Sequence, residues 1–173
     1  MTDNPNSRAL GLLLGGCGAV AGILAWWWLV PLFRVDPAGV SMSGRLGLGC
    51  AALLPGVAAL ALMILVQMGL RAAHGAVDPL AGTETRLLQV NQRAISNTME
   101  QLALFAPSIL ALSAGATAAR MPEVMAAGVV FAGARVLFWL GYLIAPTGRS
   151  FGMAATLVVT LGALAAAGTA WLR

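Results

Sequence analysis

The chain alternates long uncharged stretches with short polar segments, and the lengths of the uncharged stretches predict the architecture. An α-helix needs about 20 apolar residues to cross a hydrocarbon core roughly 30 Å thick. Ala9 to Phe33 is uncharged over 25 residues between Arg8 and Arg34, and Leu46 to Leu70 over 25 between Arg45 and Arg71. Gln101 to Ala119 gives 19 such residues and Phe151 to Leu172 gives 22. Val124 to Ala145 is long enough as well, but carries Arg135 near its middle. The pattern predicts an all-α integral membrane protein with five transmembrane helices. No repeat and no long linker divides it, so residues 1–173 read as a single membrane domain.

The first apolar run exceeds the 7 to 15 residues of a signal-peptide core, and it continues through Trp26, Trp27 and Trp28, residues suited to an interfacial belt. It is expected to stay as an anchor. Leu14 to Cys17 loosely imitates a lipoprotein cleavage box, but an apolar sequence follows Cys17, so packing is the better reading.

Composition agrees with the spans. The chain is 60% hydrophobic and 9% charged, with a mean hydropathy of +0.87, against roughly 25% charged residues in soluble domains. Soluble globular and disordered classes are both excluded. The net charge of +4 comes from ten basic residues that are all Arg and spaced singly, leaving no basic patch for nucleic acid. Cys17 and Cys50 have no CxxC partner or neighbouring His, so no metal is expected. Lysine is absent while Ala, Gly and Arg abound, which points to a GC-rich, bacterial source and hence an inner membrane. Arg8, Arg71, Arg86, Arg93 and Arg149 fall on one side of a five-span topology, and Arg34, Arg45, Arg120 and Arg173 on the other; this bias favours a cytoplasmic N-terminus.

Gly11, Gly15, Gly18 and Gly22 allow close helix approach but carry no chemistry. The polar residues that do converge begin after Asp78-Pro79. Gly82-Thr83 is a plausible helix start with Glu84 in its first turn, and the helix is expected to run to Ala119. On it, Arg93, Asn97 and Glu100 stand at i, i+4 and i+7, within about 60° of one another on one stripe, and Arg86 precedes them by seven residues. Unpaired polar groups in low dielectric cost several kcal/mol, so something polar must face this stripe. A hydrogen-bond network knitting helices together and a ligand site both meet that need. In the fourth helix Arg135, Tyr142 and Arg149 recur every seven residues, with Phe138 on the same face and Pro146 ending the helix before Arg149. Arg135 is expected in an ion pair with Glu100. Arg71, Arg86, Arg93 and Arg149 share one side, and the planar guanidinium fork suits carboxylates, so an anionic guest is the natural ligand.

The combination of Arg93-x-x-x-Asn97-x-x-Glu100 with Ala134-Arg135-x-x-Phe138-x-x-Gly141-Tyr142 and Arg149 resembles the MAPEG family, membrane-associated proteins in eicosanoid and glutathione metabolism. Residues 44–173 would form its four-helix bundle, and residues 9–33 an extra N-terminal helix. The resemblance implies a homotrimer with glutathione bound between subunits near the cytoplasmic face, and a transferase or peroxidase acting on hydrophobic small molecules from the bilayer. It implies that Arg71, Arg93, Asn97, Glu100 and Tyr142 bind glutathione and that Arg149 stabilises its thiolate. Phe138 stands where eicosanoid-making members have Tyr, Ile95 replaces a polar residue, and Asn97 to Gln101 looks more like bacterial members. A non-catalytic assembly or lipid-binding subunit is the alternative; a transporter is disfavoured, because no span is broken by paired Gly and Pro at the midplane.

Overall fold

The computed structural model describes residues 5–36, 40–75 and 84–172. All regular structure among them is helical: α1 (Pro5–Leu29), α2 (Met42–His74), α3 (Arg86–Gly115), α4 (Met121–Ile144) and α5 (Arg149–Trp171). Single 3-10 turns follow α1 at Val30–Leu32 and precede α4 at Ala118–Arg120.

Local chemistry sets the boundaries. Pro31 lies in the turn that ends α1, and the Ser41 hydroxyl caps α2 by accepting from the Gly44 amide. Gly75 closes α2 at φ 63°, a left-handed conformation that glycine adopts without strain. The expected α3 start is corrected: Thr85 is the N-cap, accepting from the Leu88 amide at 3.4 Å, and Glu84 precedes the helix. Gly82-Thr83 and Asp78-Pro79 lie outside the described residues, as does Arg173. The far end of α3 is also corrected. The chain turns extended at Ala116, so the helix stops at Gly115 instead of continuing to Ala119.

Four segments are long and apolar enough to cross a membrane: Pro5–Leu32, Met42–His74, Ala118–Ile144 and Arg149–Trp171. α3 is not among them; its first sixteen residues include Arg86, Arg93, Asn97, Glu100 and Gln101.

α2 to α5 pack around a shared core in which Phe105 of α3 stacks on Phe131 of α4 with ring centroids 4.2 Å apart. Ile109, Leu112, Val124 and Val159 complete it. Gly128 lets α4 close on α2, since a Cβ there would overlap the Ala52 carbonyl. A smaller cluster of Met63, Ala94, Ile95, Phe138 and Trp139 lies towards the α3 N-terminus. At the opposite end Arg45 donates to the carbonyls of Ser113 and Ala114, both at 3.2 Å, satisfying groups that the end of α3 leaves open. The Trp171 indole donates to the Ala111 carbonyl at 2.9 Å. α1 stands outside the core with only Gly18 and Gly22 buried, and it runs parallel to α5: Gly11 lies by Ser150, Gly22 by Ala155 and Trp26 by Gly162.

Candidate functional site: a polar cavity between α3, α4 and α5

The start of α3 meets the end of α4 and the start of α5, and an open cavity of about 590 Å³ lies between these three helices. Arg93, Ser96, Asn97 and Glu100 line it from α3, Phe138 and Tyr142 from α4, and Arg149, Ser150 and Met153 from α5. Its size lies within the range of roughly 300 to 1,000 Å³ typical of small-molecule pockets.

A buried amide network sets the rotation of α3. Asn91, only 1% exposed, donates to the Gln67 amide oxygen at 2.7 Å and to the Met63 carbonyl at 3.1 Å, both on α2. Its own oxygen accepts from the Trp139 indole of α4 at 2.7 Å. Gln67 in turn donates to the Leu88 carbonyl at 3.4 Å. At about 100° per residue, pinning Asn91 inward places Ser96, Arg93, Asn97 and Glu100 between roughly 140° and 240° away, on the opposite face. Arg93, Ser96 and Glu100 are accordingly exposed and Asn97 half-buried.

Behind the cavity lies Arg135, fully buried at 0% exposure. The expected Arg135–Glu100 ion pair is corrected. Asn97 stands between the two, accepting from Arg135 Nη2 at 3.1 Å and offering its own nitrogen to Glu100 at 3.4 Å. A carboxamide carries both an acceptor and a donor, so Asn97 can meet the Arg135 guanidinium and the Glu100 carboxylate at once. Arg135 also lies over the Phe138 ring, 4.1 Å from its centroid. Phe138 and Tyr142 follow one helical turn apart, tilted by 55° with centroids separated by 6.0 Å, and the Arg149 guanidinium lies 5.0 Å from the Tyr142 centroid. Both cations fall within about 6 Å of a ring, the reach of a cation–π contact. The rings thus orient Arg149 from one side and Arg135 from the other.

Arg149 reaches the cavity from α5, not from an extension of α4. α4 ends at Ile144, residues 145–148 form the turn, and Arg149 is the first residue of α5. Gly152 brings that helix close, as a Cβ there would overlap the Phe138 amide of α4.

Of the residues singled out from the sequence, Arg93, Asn97, Glu100, Tyr142 and Arg149 line one cavity. Arg71 and Arg86 do not. Arg71 is held by Glu84 in an ion pair at 2.6 Å, and Arg86, the first residue of α3, is exposed. Sequence reasoning missed Ser96, Ser150 and Met153. Ser96 sits one turn after Arg93 and was within reach of the same periodicity; the other two required knowing that α5 starts at Arg149.

Together, the helical architecture and the arginine-lined cavity define an integral membrane bundle with a polar site at one end. The MAPEG family profile matches residues 47–169, which is more than two thirds of the chain and covers most of α2 to α5. The chain belongs to the MAPEG family. α1 precedes the matched region. A comparison with curated proteins gives no match.

Proposed function

We propose that the protein is a thiol transferase or peroxidase of the membrane, with glutathione or another low-molecular-weight thiol as co-substrate. The observation that carries this reading is the cavity itself, in which Arg93 and Arg149 offer two cations and Glu100 one anion, with Asn97 and Tyr142 between them. Glutathione has two carboxylates, one ammonium group and one thiol. In this assignment Arg93 takes a carboxylate through its planar fork, Glu100 takes the ammonium group, and Asn97 and Tyr142 supply hydrogen bonds.

Arg149 has the catalytic role. A thiol of pKa about 8.5 is mostly protonated at neutral pH, and a guanidinium at the sulfur favours the thiolate, the nucleophilic form. The thiol proton passes to water and the sulfur attacks an electrophilic carbon. The new C–S bond forms as the bond to the leaving group breaks and the leaving group departs with its electron pair. With a hydroperoxide in the same place, two thiols reduce it to the alcohol and water and leave as the disulfide.

In this reading α3 is a fifth transmembrane helix whose polar turns lie at the aqueous face, residues 44–173 form the bundle, and 9–33 are an addition to it. The cavity end carries Arg71, Arg86, Arg93 and Arg149 and faces the cytoplasm of a bacterial inner membrane. A homotrimer would cover the exposed α3 face of Arg93, Ser96 and Glu100, and a neighbouring subunit would complete the site.

The test is isothermal titration of the detergent-solubilised protein with glutathione. Saturable heat in the wild type, lost in Arg149→Ala and weakened in Glu100→Gln, is the expected result; no saturable heat in the wild type refutes the reading. The exposure of the same α3 face favours a second reading, in which the stripe serves assembly alone. Then Arg93→Ala or Glu100→Gln would break up the oligomer or lower its melting temperature, while no thiol raises it.

A further inference from the structure

α1, outside the matched family region, lies against the very helix that carries Arg149. A Cβ at Gly18 would overlap the Phe151 carbonyl, one at Gly22 would sit 3.1 Å from the Ala155 Cα, and one at Gly11 would sit 3.6 Å from the Ser150 hydroxyl. Ser150 lines the cavity. The first half of α1 therefore backs the α5 wall of the cavity at the level of the site. The other end of α1 is fastened as well: the Trp26 indole donates to the Glu123 carbonyl of α4 at 2.9 Å, and its ring packs on Gly162. Backbone-to-backbone packing without intervening side chains leaves no room for an acyl chain between α1 and α5.

We infer that α1 is a fixed wall that separates the cavity from the bilayer along α5, so that the site is reached from the aqueous face and selects compact second substrates over long-chain lipids. The polar lining of the cavity agrees, with Arg93, Glu100 and Arg149 all exposed at its mouth. The selection of substrates rests on the thiol-transfer reading above, whereas the wall itself does not.

Thiol accessibility tests the wall without any activity measurement. Cys17 and Cys50 are free and exposed, so both are first replaced by Ser, and Ser150→Cys is introduced in protein reconstituted into lipid nanodiscs. A sulfonated, water-soluble maleimide is expected to label Ser150→Cys, and a long-chain alkyl maleimide dissolved in the bilayer to label it slowly. Adding Gly18→Leu, which must push α1 off α5, raises the bilayer rate by about an order of magnitude. Gly16→Leu, at a position with open space around it, leaves that rate unchanged. Gly22→Leu, whose Cβ would sit 3.1 Å from the Ala155 Cα, provides a second displacing variant should Gly18→Leu fail to fold. Rapid labelling from the bilayer without displacement, no response to either displacing variant, or failure of the water-soluble reagent to reach Ser150→Cys would each overturn the inference.

Conjugation rates for electrophiles of increasing alkyl length then test selection. The wild type is expected to favour the short members and Gly18→Leu to lose that preference; a wild-type preference for the long members refutes the selection. If the accessibility pattern holds while glutathione gives no binding heat, the wall stands and the proposed activity falls.

Discussion

Replacing Asn91 by Leu removes the side chain that ties three helices together, without touching the cavity. The Trp139 indole N–H loses its acceptor at 2.7 Å, and the Gln67 oxygen loses its donor at 2.7 Å. Both groups belong to buried residues, at 8% and 5% exposure, where water cannot easily replace the lost partner. A buried polar group left unsatisfied costs about 1 to 3 kcal/mol. Two such groups give an expected loss of about 2 to 6 kcal/mol, towards the lower end because hydrogen bonds within membrane bundles average near 0.6 kcal/mol in double-mutant cycles. The assay is reversible unfolding in mixed detergent micelles. The triple variant Gln67→Leu, Asn91→Leu, Trp139→Phe removes all three polar partners together, and it should be more stable than the sum of the three single losses predicts. Since the network also fixes the rotation of α3, Asn91→Leu should weaken thiol binding at a temperature where the protein remains folded. A loss below about 0.5 kcal/mol, or strict additivity in the triple variant, would refute the reasoning.

Gly128→Val places a branched side chain against the Ala52 carbonyl; it should separate α2 from α4 and abolish accumulation of folded protein, read by size-exclusion chromatography in detergent. Glu84→Gln breaks the partly exposed Arg71 pair and should cost no more than about 1 kcal/mol, leaving thiol affinity intact in the titration. Trp26→Phe keeps the ring but removes the bond to the Glu123 carbonyl, lowering stability by about 1 kcal/mol in the same unfolding assay. Arg135→Met keeps much of the buried volume and removes a charge, so folding should survive; thiol affinity should fall because Asn97 and Phe138 lose their anchor, and unchanged affinity in the titration would separate Arg135 from the site.

The legibility of the fold and the site in the sequence followed the range of the interactions involved. Arg93, Asn97 and Glu100 were readable as a group because a single helix places i, i+4 and i+7 on one stripe, whatever surrounds it. Tyr142 and Arg149 were readable as neighbours of that stripe, and Pro146 marked a helix end between them; what the spacing did not report is that Arg149 opens α5. The pairing of Arg71 was not readable, because its partner, Glu84, lies on the far side of a connection whose path no periodicity reports. The direct Arg135–Glu100 pair failed for a similar reason, since helix spacing gives the face of α3 but not which of its polar residues meets Arg135, and here that residue is Asn97. Gln67 stands out in apolar surroundings, but Asn91 lies among Gln89, Gln92 and Arg93, and nothing in the spacing says that these two meet Trp139.

α3 reconciles a buried face with a polar one. Its inward face carries Asn91 and Thr98 among apolar residues such as Leu88, Ile95 and Phe105, and the Asn91 amide finds its partners within the same chain. Its opposite face carries Arg93, Ser96 and Glu100, which remain exposed while the chain is considered alone. The first set anchors the helix and the second is presented by it. A substitution on the inward face therefore acts on stability first and on the cavity through rotation of the helix, whereas one on the outward face acts on the ligand, or on whatever surface covers the stripe, and leaves the bundle folded. Arg93, Asn97 and Glu100 on α3, a helix outside the set apolar enough to cross a membrane by composition, are thus the residues that give the bundle a site, and the buried Asn91 network holds the helix that presents them.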